Sequence, residues 1–313
     1  MAAYIAGRMF TLAHLSDIHL SLPRAPHPTE LWSKRLIGYL NILRRRGASH
    51  QDWALEALMA ALKADRPDHV ALTGDLVNLA TRDEFVRARA WLESHFTPDR
   101  LSLVPGNHDA YVAVPDENGF GLWRAYMRGD GAERKDEPSA DWPYLRRRDK
   151  IALIGVSTAM VSAPFMGIGR VGPAQLVRLT ELLAALGREG CCRVVLIHHP
   201  PAPAPTHWHK RLLDDAALAE ILAGAGAELV LHGHNHTDTL YFTPGPTHPI
   251  PIVGVPSGSA VGMPPKPSAQ YHLFRIEATD RGWSIGQTAR RLDPETGQVA
   301  TAYTRNRLSE ESV

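Results

Sequence analysis

The chain has 313 residues, of which 44% are hydrophobic and 21% are charged, and its formal net charge is +1. This composition is typical of a globular enzyme with one large or two small domains, and the near-zero charge argues against a nucleic-acid-binding protein. The sequence contains no stretch of about 18 consecutive apolar residues, so we expect no membrane-spanning helix. The N-terminal residues do not show the pattern of a signal peptide. The two cysteines, Cys191 and Cys192, are adjacent, and adjacent cysteines rarely bridge each other, so no disulfide framework is predicted. This fits a reducing compartment, and we therefore expect a cytoplasmic protein.

Short apolar runs alternate with helical patterns over the first 231 residues. The runs have the length of buried strands, and the segments between them repeat apolar residues at spacings of three and four. This alternation predicts an α/β layered fold. The predicted strands are Phe10–Leu15, His69–Thr73, Leu101–Val104, Ile151–Val156, Arg193–Ile197 and Glu228–Leu231, and the predicted helices are Gln51–Ala64, Asp83–Ser94, Pro173–Leu186 and Asp214–Leu222.

The C-terminal third has a different pattern. Ile250–Val255, Tyr271–Ile276 and Trp283–Thr288 read as strands joined by loops with no helix between them. We therefore expect these three strands to form a second, more antiparallel sheet. Two sheets packed face to face with helices outside would hold all the predicted elements.

We expect one domain over residues 1–303 and a disordered tail over 304–313. Residues 112–149 and 256–268 are long, polar, glycine-containing connections. Loops of this length in a compact domain often form lids or substrate walls. The sequence leaves open whether they do so here or are ordinary surface connections.

Five polar clusters stand directly after predicted strands. In α/β sheets, ligands bind in the crevice beyond the carboxyl ends of the strands. Each cluster alone has an ordinary explanation as a turn, since glycine, asparagine and aspartate favour turns. Five clusters at five strand ends would instead converge on one crevice. They are Asp17-Ile18-His19, Gly74-Asp75, Gly106-Asn107-His108-Asp109, His198-His199-Pro200 and Gly233-His234-Asn235-His236.

The clusters supply carboxylate, imidazole and amide groups without a thiolate. This donor set suits Mn, Fe, Zn or Co and disfavours a structural cysteine-type zinc site. Seven candidate ligands are too many for one ion, and they suit two divalent or mixed-valence ions that share a bridging carboxylate. The seven are Asp17, His19, Asp75, Asn107, His198, His234 and His236.

In this order, the motifs Asp-x-His, Gly-Asp, Gly-Asn-His-Asp, His-x-Pro and Gly-His-x-His resemble those of the calcineurin-like metallophosphoesterases. The resemblance covers roughly residues 10–260. The motif spacing and the His-His-Pro-Pro form look most like the bacterial cyclic-nucleotide and glycerophosphodiester phosphodiesterase branch. The resemblance implies a four-layer α/β/β/α sandwich of two mixed sheets flanked by helices, which agrees with the predicted elements.

The resemblance also implies metal-binding roles. It assigns three residues to each ion and one bridging carboxylate, Asp75, to both. His198 is preferred to His199 because the family pattern places the ligand two positions before proline. The implied sets are Asp17, His19 and His236 for the first ion and Asn107, His198 and His234 for the second.

The mechanism that the resemblance implies is attack on phosphorus by a hydroxide that bridges two divalent ions. His108 follows a candidate ligand, so we expect it to stabilise the transition state or to protonate the leaving oxygen. We expect Asp109 to orient His108 by accepting its other ring proton. Asn78 and His207 are candidate substrate-binding residues.

Residues 31–46 mix Trp, Tyr, Leu and Ile with five Lys and Arg residues. We favour a surface helix that packs its apolar side on the domain and turns its cations to water. The alternative is an amphipathic segment that touches a membrane surface or walls a pocket for an anionic lipid.

Three functions remain open at this point. The first is hydrolysis of a small-molecule phosphodiester such as a cyclic nucleotide. The second is a phosphohydrolase for a nucleotide-linked lipid or a phosphomonoester, which the basic amphipathic segment motivates. The third is a non-catalytic metal-binding scaffold, and it is disfavoured because every ligand position and His108 are filled.

Overall fold

A computed structural model of the chain describes residues 9–46, 50–131, 142–202, 205–262 and 267–309. Within these ranges the strands are β1 (Phe10–Leu15), β2 (His69–Leu72), β3 (Leu101–Leu103), β4 (Tyr144–Arg148), β5 (Ile151–Gly155), β6 (Cys192–Leu196), β7 (Leu229–His232), β8 (Thr239–Thr243), β9 (Ile250–Gly254), β10 (Gln270–Thr279), β11 (Gly282–Leu292) and β12 (Val299–Arg305). They form two six-stranded sheets, with the orders β12-β11-β10-β1-β2-β3 and β4-β5-β6-β7-β9-β8.

Both sheets are mixed. In the first, β1, β2 and β3 are parallel, and β10 pairs antiparallel with β1 in a register that sets Leu12 beside Phe274. In the second, β5, β6, β7 and β9 are parallel, with β4 and β8 antiparallel at the edges. The carboxyl ends of five parallel strands, β1, β2, β3, β6 and β7, carry the five polar clusters.

One apolar core joins the two sheets. Leu12 and Phe274 of the first sheet and Leu196 and Val253 of the second belong to the same fully buried cluster. Burying a side chain of this size contributes about 1.5–3 kcal/mol relative to leaving it in water. The shared core supports a single domain over residues 1–303, which stays a prediction.

Helices cover the outer faces and complete the predicted α/β/β/α sandwich. The α-helices are α1 (Arg35–Asn41), α2 (Asp52–Asp65), α3 (Arg82–His95), α4 (Pro173–Arg188) and α5 (Asp215–Ala225). The helix α2 packs against β10, β11 and β12. On the other side, α4 and α5 bury leucines at helical spacing, such as Leu179 and Leu183, against Val195 and Val230. Within the described ranges, no helix combines the length and the apolar character needed to cross a bilayer.

The expectation of a separate antiparallel sheet from the last strands is wrong. The hairpin of β10 and β11 extends the first sheet, because it pairs with the open edge of β1. By contrast, β9 lies in the second sheet parallel to β7. All five residues of β9 are buried, as is usual for a strand covered on both faces.

The 112–149 connection is more than a surface loop. It contains two 3₁₀-helices, Asp116–Asn118 and Phe120–Tyr126, and the strand β4. Trp123 is fully buried, and the hydroxyl of Tyr144 donates to the carbonyl of Leu103 across the sheets at 2.9 Å. These residues therefore belong to the core. Residues 132–141 lie outside the described part of the chain.

The expectation that disorder begins at Thr304 is also wrong. The strand β12 extends to Arg305, and Leu308 is buried against the core. Pairing with β11 continues through Thr288 and Thr304, so the chain stays in the sheet past the predicted boundary. Residues 310–313 lie outside the described ranges.

Candidate metal centre

The five strand ends bring all seven candidate ligands to one crevice between the sheets. The residues follow five strands and lie up to 219 positions apart in the chain, yet each offers a donor atom within 4.8 Å of a donor atom of another. They form two groups around Asp75. The distances between donor atoms define each group.

The first group contains Asp17, His19 and His236. The Nε2 atom of His236 lies 3.1 Å from Asp17 Oδ1 and 3.4 Å from His19 Nε2. The Nδ1 atom of His19 lies 3.3 Å from the Val77 carbonyl. This contact fixes the ring so that Nε2 faces the other two donors. In metal sites, the second ring nitrogen of a histidine ligand commonly makes such a contact and orients the ring.

The second group contains Asn107, His198 and His234. The Nδ1 atom of His198 lies 2.6 Å from the Thr73 carbonyl, and its Nε2 atom lies 3.2 Å from Asn107 Oδ1. The Nε2 atom of His234 lies 2.9 Å from the Lys210 carbonyl. This contact leaves Nδ1 of His234 as the nitrogen available to a metal ion.

The carboxylate of Asp75 lies between the groups. Its Oδ2 atom is 3.7 Å from His19 Nε2 and 3.5 Å from His198 Nε2. Its Oδ1 atom accepts the backbone N–H of His108 at 2.7 Å. One oxygen of a nearly fully buried carboxylate therefore faces a nitrogen of each group.

The spacing of the donors fits divalent cations. Bonds of about 2.0–2.2 Å at angles of about 90–110° place neighbouring ligand atoms about 2.8–3.6 Å apart. Five donor pairs, which together include six of the seven candidate ligands, are 3.1–3.7 Å apart. Lone pairs that face one another at this distance are stabilised by a shared cation or proton. The nitrogen and oxygen donors therefore have both the spacing and the chemistry of a metal site.

Five of the seven candidate ligands have a left-handed backbone. A positive φ is uncommon outside glycine, although aspartate and histidine tolerate it better than most residues. Such conformations cost about 1–3 kcal/mol each and cluster at functional sites. The five are Asp17 (φ 53°), His19 (39°), Asp75 (56°), His234 (68°) and His236 (54°).

Two motif glycines are required by close packing. A Cβ on Gly233 would overlap Ser16 Oγ and Asp17 Oδ2, and a Cβ on Gly106 would overlap Asp75 Oδ1. The glycines of Gly-His-Asn-His and Gly-Asn-His-Asp therefore let the backbone approach the carboxylates.

The electrostatics of the centre suit cation binding. Burial alone would raise the pKa of Asp17, but the neighbouring His236 and His198 lower the net pKa below its ordinary value. Burial, together with His199 and His198, lowers the pKa of His234 well below its usual range. The site therefore favours an ionised carboxylate and a neutral imidazole, which are the forms that bind metals.

His199 is engaged by the protein on both ring nitrogens. Its Nδ1 atom lies 2.7 Å from Thr158 Oγ1, and its Nε2 atom lies 3.1 Å from the Gly167 carbonyl. These contacts favour His198 as the ligand, which stays a prediction. His199 supports His234 instead, because their ring centroids are 4.4 Å apart.

His108 lies on the wall of the cavity, but Asp109 does not orient it. The Nδ1 atom of His108 lies 2.7 Å from the Asn78 carbonyl. The structure therefore corrects the expected pairing, because the buried Asp109 carboxylate accepts backbone N–H groups. Its donors are Asp75, Leu76, Val77 and Gly106, at 2.8–3.2 Å.

Neither candidate substrate-binding residue lines the cavity. The Asn78 side chain is buried and donates to the Leu20 carbonyl at 2.8 Å, so its contribution is the carbonyl that holds His108. His207 is exposed and stacks on His209. His209 and Lys210 form the wall in its place.

The cavity above the centre has a volume of about 940 Å³, and His50 is a lining residue that the sequence did not reveal. His50 offers a ring nitrogen within 4.8 Å of those of His19 and His236. Its Nδ1 atom lies 2.9 Å from Ser259 Oγ, so the 256–268 connection supports the site. Residues 263–266 are outside the described ranges. No motif surrounds His50, so only its position in space indicates a role.

Comparisons with known proteins show what the sequence and the fold of this chain are similar to. Residues 10–238, well over half of the chain, match the calcineurin-like phosphoesterase family. A protein of Rhodococcus erythropolis described as a probable cyclic nucleotide phosphodiesterase is 27% identical over 232 residues, which are 73% of this chain but only 65% of that protein's length. The chain thus matches just under two thirds of this relative.

Solved structures show the same fold. A dimetal phosphatase from Danio rerio aligns with a TM-score of 0.57 at 11% identity, over 93% of this chain and 98% of its own. A purple acid phosphatase from yellow lupin aligns with a TM-score of 0.53 at 12% identity, over 95% of this chain and 53% of its own. At these identities the likeness concerns the fold alone.

The buried Asp109 carboxylate yields a stability prediction. Asp109→Asn replaces one acceptor oxygen by an N–H₂ group that faces backbone donors. We expect the free energy of unfolding in urea to fall by about 2–4 kcal/mol, since each unsatisfied buried group costs about 1–3 kcal/mol. The control Asp130→Asn removes an exposed ion pair with Arg148 and should cost less than about 1 kcal/mol. Equal losses for both variants would contradict the structural role of Asp109.

Proposed function

Since the chain belongs to the calcineurin-like phosphoesterases, we propose that it hydrolyses a small-molecule phosphodiester with two metal ions held by the seven candidate ligands. One observation carries this proposal: Asp75 Oδ2 faces a histidine nitrogen of each group. Asp17, His19 and His236 would hold one ion, and Asn107, His198 and His234 the other. Asp75 would contact both.

Two divalent ions, when bound, would supply the charge that lowers the pKa of a water and offsets charge on phosphate oxygens. The nitrogen and oxygen donors are compatible with Mn, Fe, Zn or Co. The protein contributes orientation, because outer contacts such as His198 Nδ1 with the Thr73 carbonyl leave one nitrogen of each imidazole for an ion. His50 lies beside the first group, where it would meet either that ion or the substrate.

His108 is the proposed proton donor to the leaving oxygen. Its Nδ1 atom faces the Asn78 carbonyl, a contact that keeps a proton on Nδ1. When the ring is protonated to an imidazolium ion, the second proton is therefore on the opposite nitrogen, Nε2. In that form His108 would donate to a phosphate oxygen or to the leaving group. Stacking on Tyr111, at 5.7 Å between centroids and 2° between planes, holds the ring in place.

A diester is the preferred substrate class because the Rhodococcus relative is described as a probable cyclic nucleotide phosphodiesterase. The cations Arg44 and Lys210 line the cavity with the metal centre, which suits an anionic substrate. A non-catalytic scaffold is disfavoured, because His108 lines the cavity beside the candidate ligands, where metal binding alone does not require it. Five of the seven ligands also have left-handed backbones, and such conformations cluster at functional sites.

Removing the bridging charge tests the metal centre and the reaction together. Asp75→Asn should lower bound metal and abolish hydrolysis of bis-(p-nitrophenyl) phosphate, which the wild-type protein should cleave faster than p-nitrophenyl phosphate. Metal content per chain and initial rates after reconstitution measure both effects. The control Asp83→Asn alters an exposed pair with Arg24 and should change neither. A fully active Asp75→Asn variant would exclude the proposed centre.

Removing the proposed proton donor tests the mechanism separately. His108→Ala should retain metal and lower turnover by about 10²–10⁴-fold, the usual contribution of general acid catalysis. The measurement is kcat for the diester at matched metal content. His95→Ala, on the helix α3, is the control and should keep wild-type turnover. Undiminished turnover in His108→Ala would reduce this histidine to a structural role.

A further inference from the structure

Large, partly exposed apolar side chains line the same cavity as the metal centre. We call Ile37, Leu40, Phe165 and Met166 the apolar rim, and all four line the cavity. Phe165 is 80% exposed, Leu40 44% and Ile37 37%. Exposed apolar residues are ordinary when scattered, but a contiguous group at a cavity mouth marks a binding surface.

One wall of the rim is the helix α1, and its anchoring leaves the apolar side chains unused. Arg35 Nε donates to the Leu79 carbonyl at 2.9 Å, and Gly38 packs against Leu79 and Tyr111 so closely that a Cβ would overlap both. The helix is thus held through an arginine and a glycine. Ile37 and Leu40 stay partly in water beside the cavity.

The other wall is the turn that carries Phe165. This residue has φ 65°, a conformation that bulky side chains rarely adopt. The turn is fixed by Ser162 Oγ, which donates to the Met166 carbonyl at 2.6 Å. Lys34 Nζ donates to the Ser162 carbonyl at 2.7 Å and so ties the segment before α1 to this turn. The two walls are therefore joined, and Phe165 is held outward.

The charges of the cavity complement an anion. Arg44 and Lys210 line the cavity, and among its described lining residues the one carboxylate is Asp75, at the metal centre. An apolar rim above cations and a metal centre matches a molecule with an anionic head and a hydrocarbon chain. A phosphoester without an apolar group would leave the apolar rim in water.

We propose that the substrate is an amphiphilic phosphoester whose hydrocarbon chain lies between α1 and Phe165 while its phosphate reaches the metal centre. This inference rests on the proposed function, because it uses the same centre for the phosphate. Burial of the chain against the apolar rim supplies affinity in proportion to the number of methylenes removed from water.

Binding of non-hydrolysable phosphonates tests this directly. The test is to measure the affinities of methylphosphonate and octylphosphonate for the metal-loaded protein by calorimetric titration, below the micellar concentration of the longer compound. Octylphosphonate should bind about 30-fold more tightly or better, since burial of about three of its seven additional methylenes is enough for this ratio.

Two substitutions locate the chain. Phe165→Asn removes the ring and keeps a residue that tolerates positive φ, and Leu40→Gln removes an apolar side chain from α1. Each should reduce the octyl-to-methyl affinity ratio by about fivefold or more. Val177→Ser, which alters an exposed valine on α4, is the control and should keep the wild-type ratio.

The outcomes separate this inference from the proposed function. Equal affinity for the two phosphonates, with bis-(p-nitrophenyl) phosphate still hydrolysed, would overturn the amphiphile and leave the diesterase standing. An octyl preference that survives both Phe165→Asn and Leu40→Gln would place the chain elsewhere and also overturn it. If neither phosphonate binds and the diester is not hydrolysed, both proposals are overturned.

Discussion

The carboxylate of Asp75 is the constraint on which the rest of the site depends. One of its oxygens must face two histidine nitrogens that belong to different sheets. That position requires β2 and β6 to end at the same level across the shared core. It also requires a left-handed backbone at Asp75 itself. The Asp109 carboxylate holds that turn by accepting the backbone N–H groups of Asp75 and Leu76. A small part of the fold's stability is thus spent on presenting one buried charge to two groups.

Much of the architecture could be predicted because strand and helix patterns are local. β1 coincides with the predicted Phe10–Leu15, and all five clusters stand at parallel strand ends as expected. Which sheet a strand joins is not local, however, and so β10 and β11 were assigned to the wrong sheet. The same limit applies to Asp109 and His50, because their contacts come from residues far away in the chain. A motif reveals that a residue is near the site, and only the fold reveals which atom it faces.

The segment 31–46 shows what the fold adds to an ambiguous sequence pattern. Its sequence favours a surface helix that buries an apolar side, but α1 is anchored through Arg35 and Gly38 and leaves Leu40 partly exposed at the cavity mouth. Amphipathicity alone does not distinguish a helix that covers a core from one that covers a ligand. Leu40 lines the same cavity as Phe165 and the metal centre, which is the basis for proposing that this helix contacts a ligand.

In the proposed centre, two ions share the carboxylate of Asp75. The most direct measurement is anomalous diffraction from crystals of the protein loaded with Mn²⁺, combined with metal content per chain. We expect two peaks, one in contact with Asp17, His19 and His236 and the other with Asn107, His198 and His234, with Asp75 Oδ2 touching both. A single peak, or two peaks without Asp75 between them, would contradict the account.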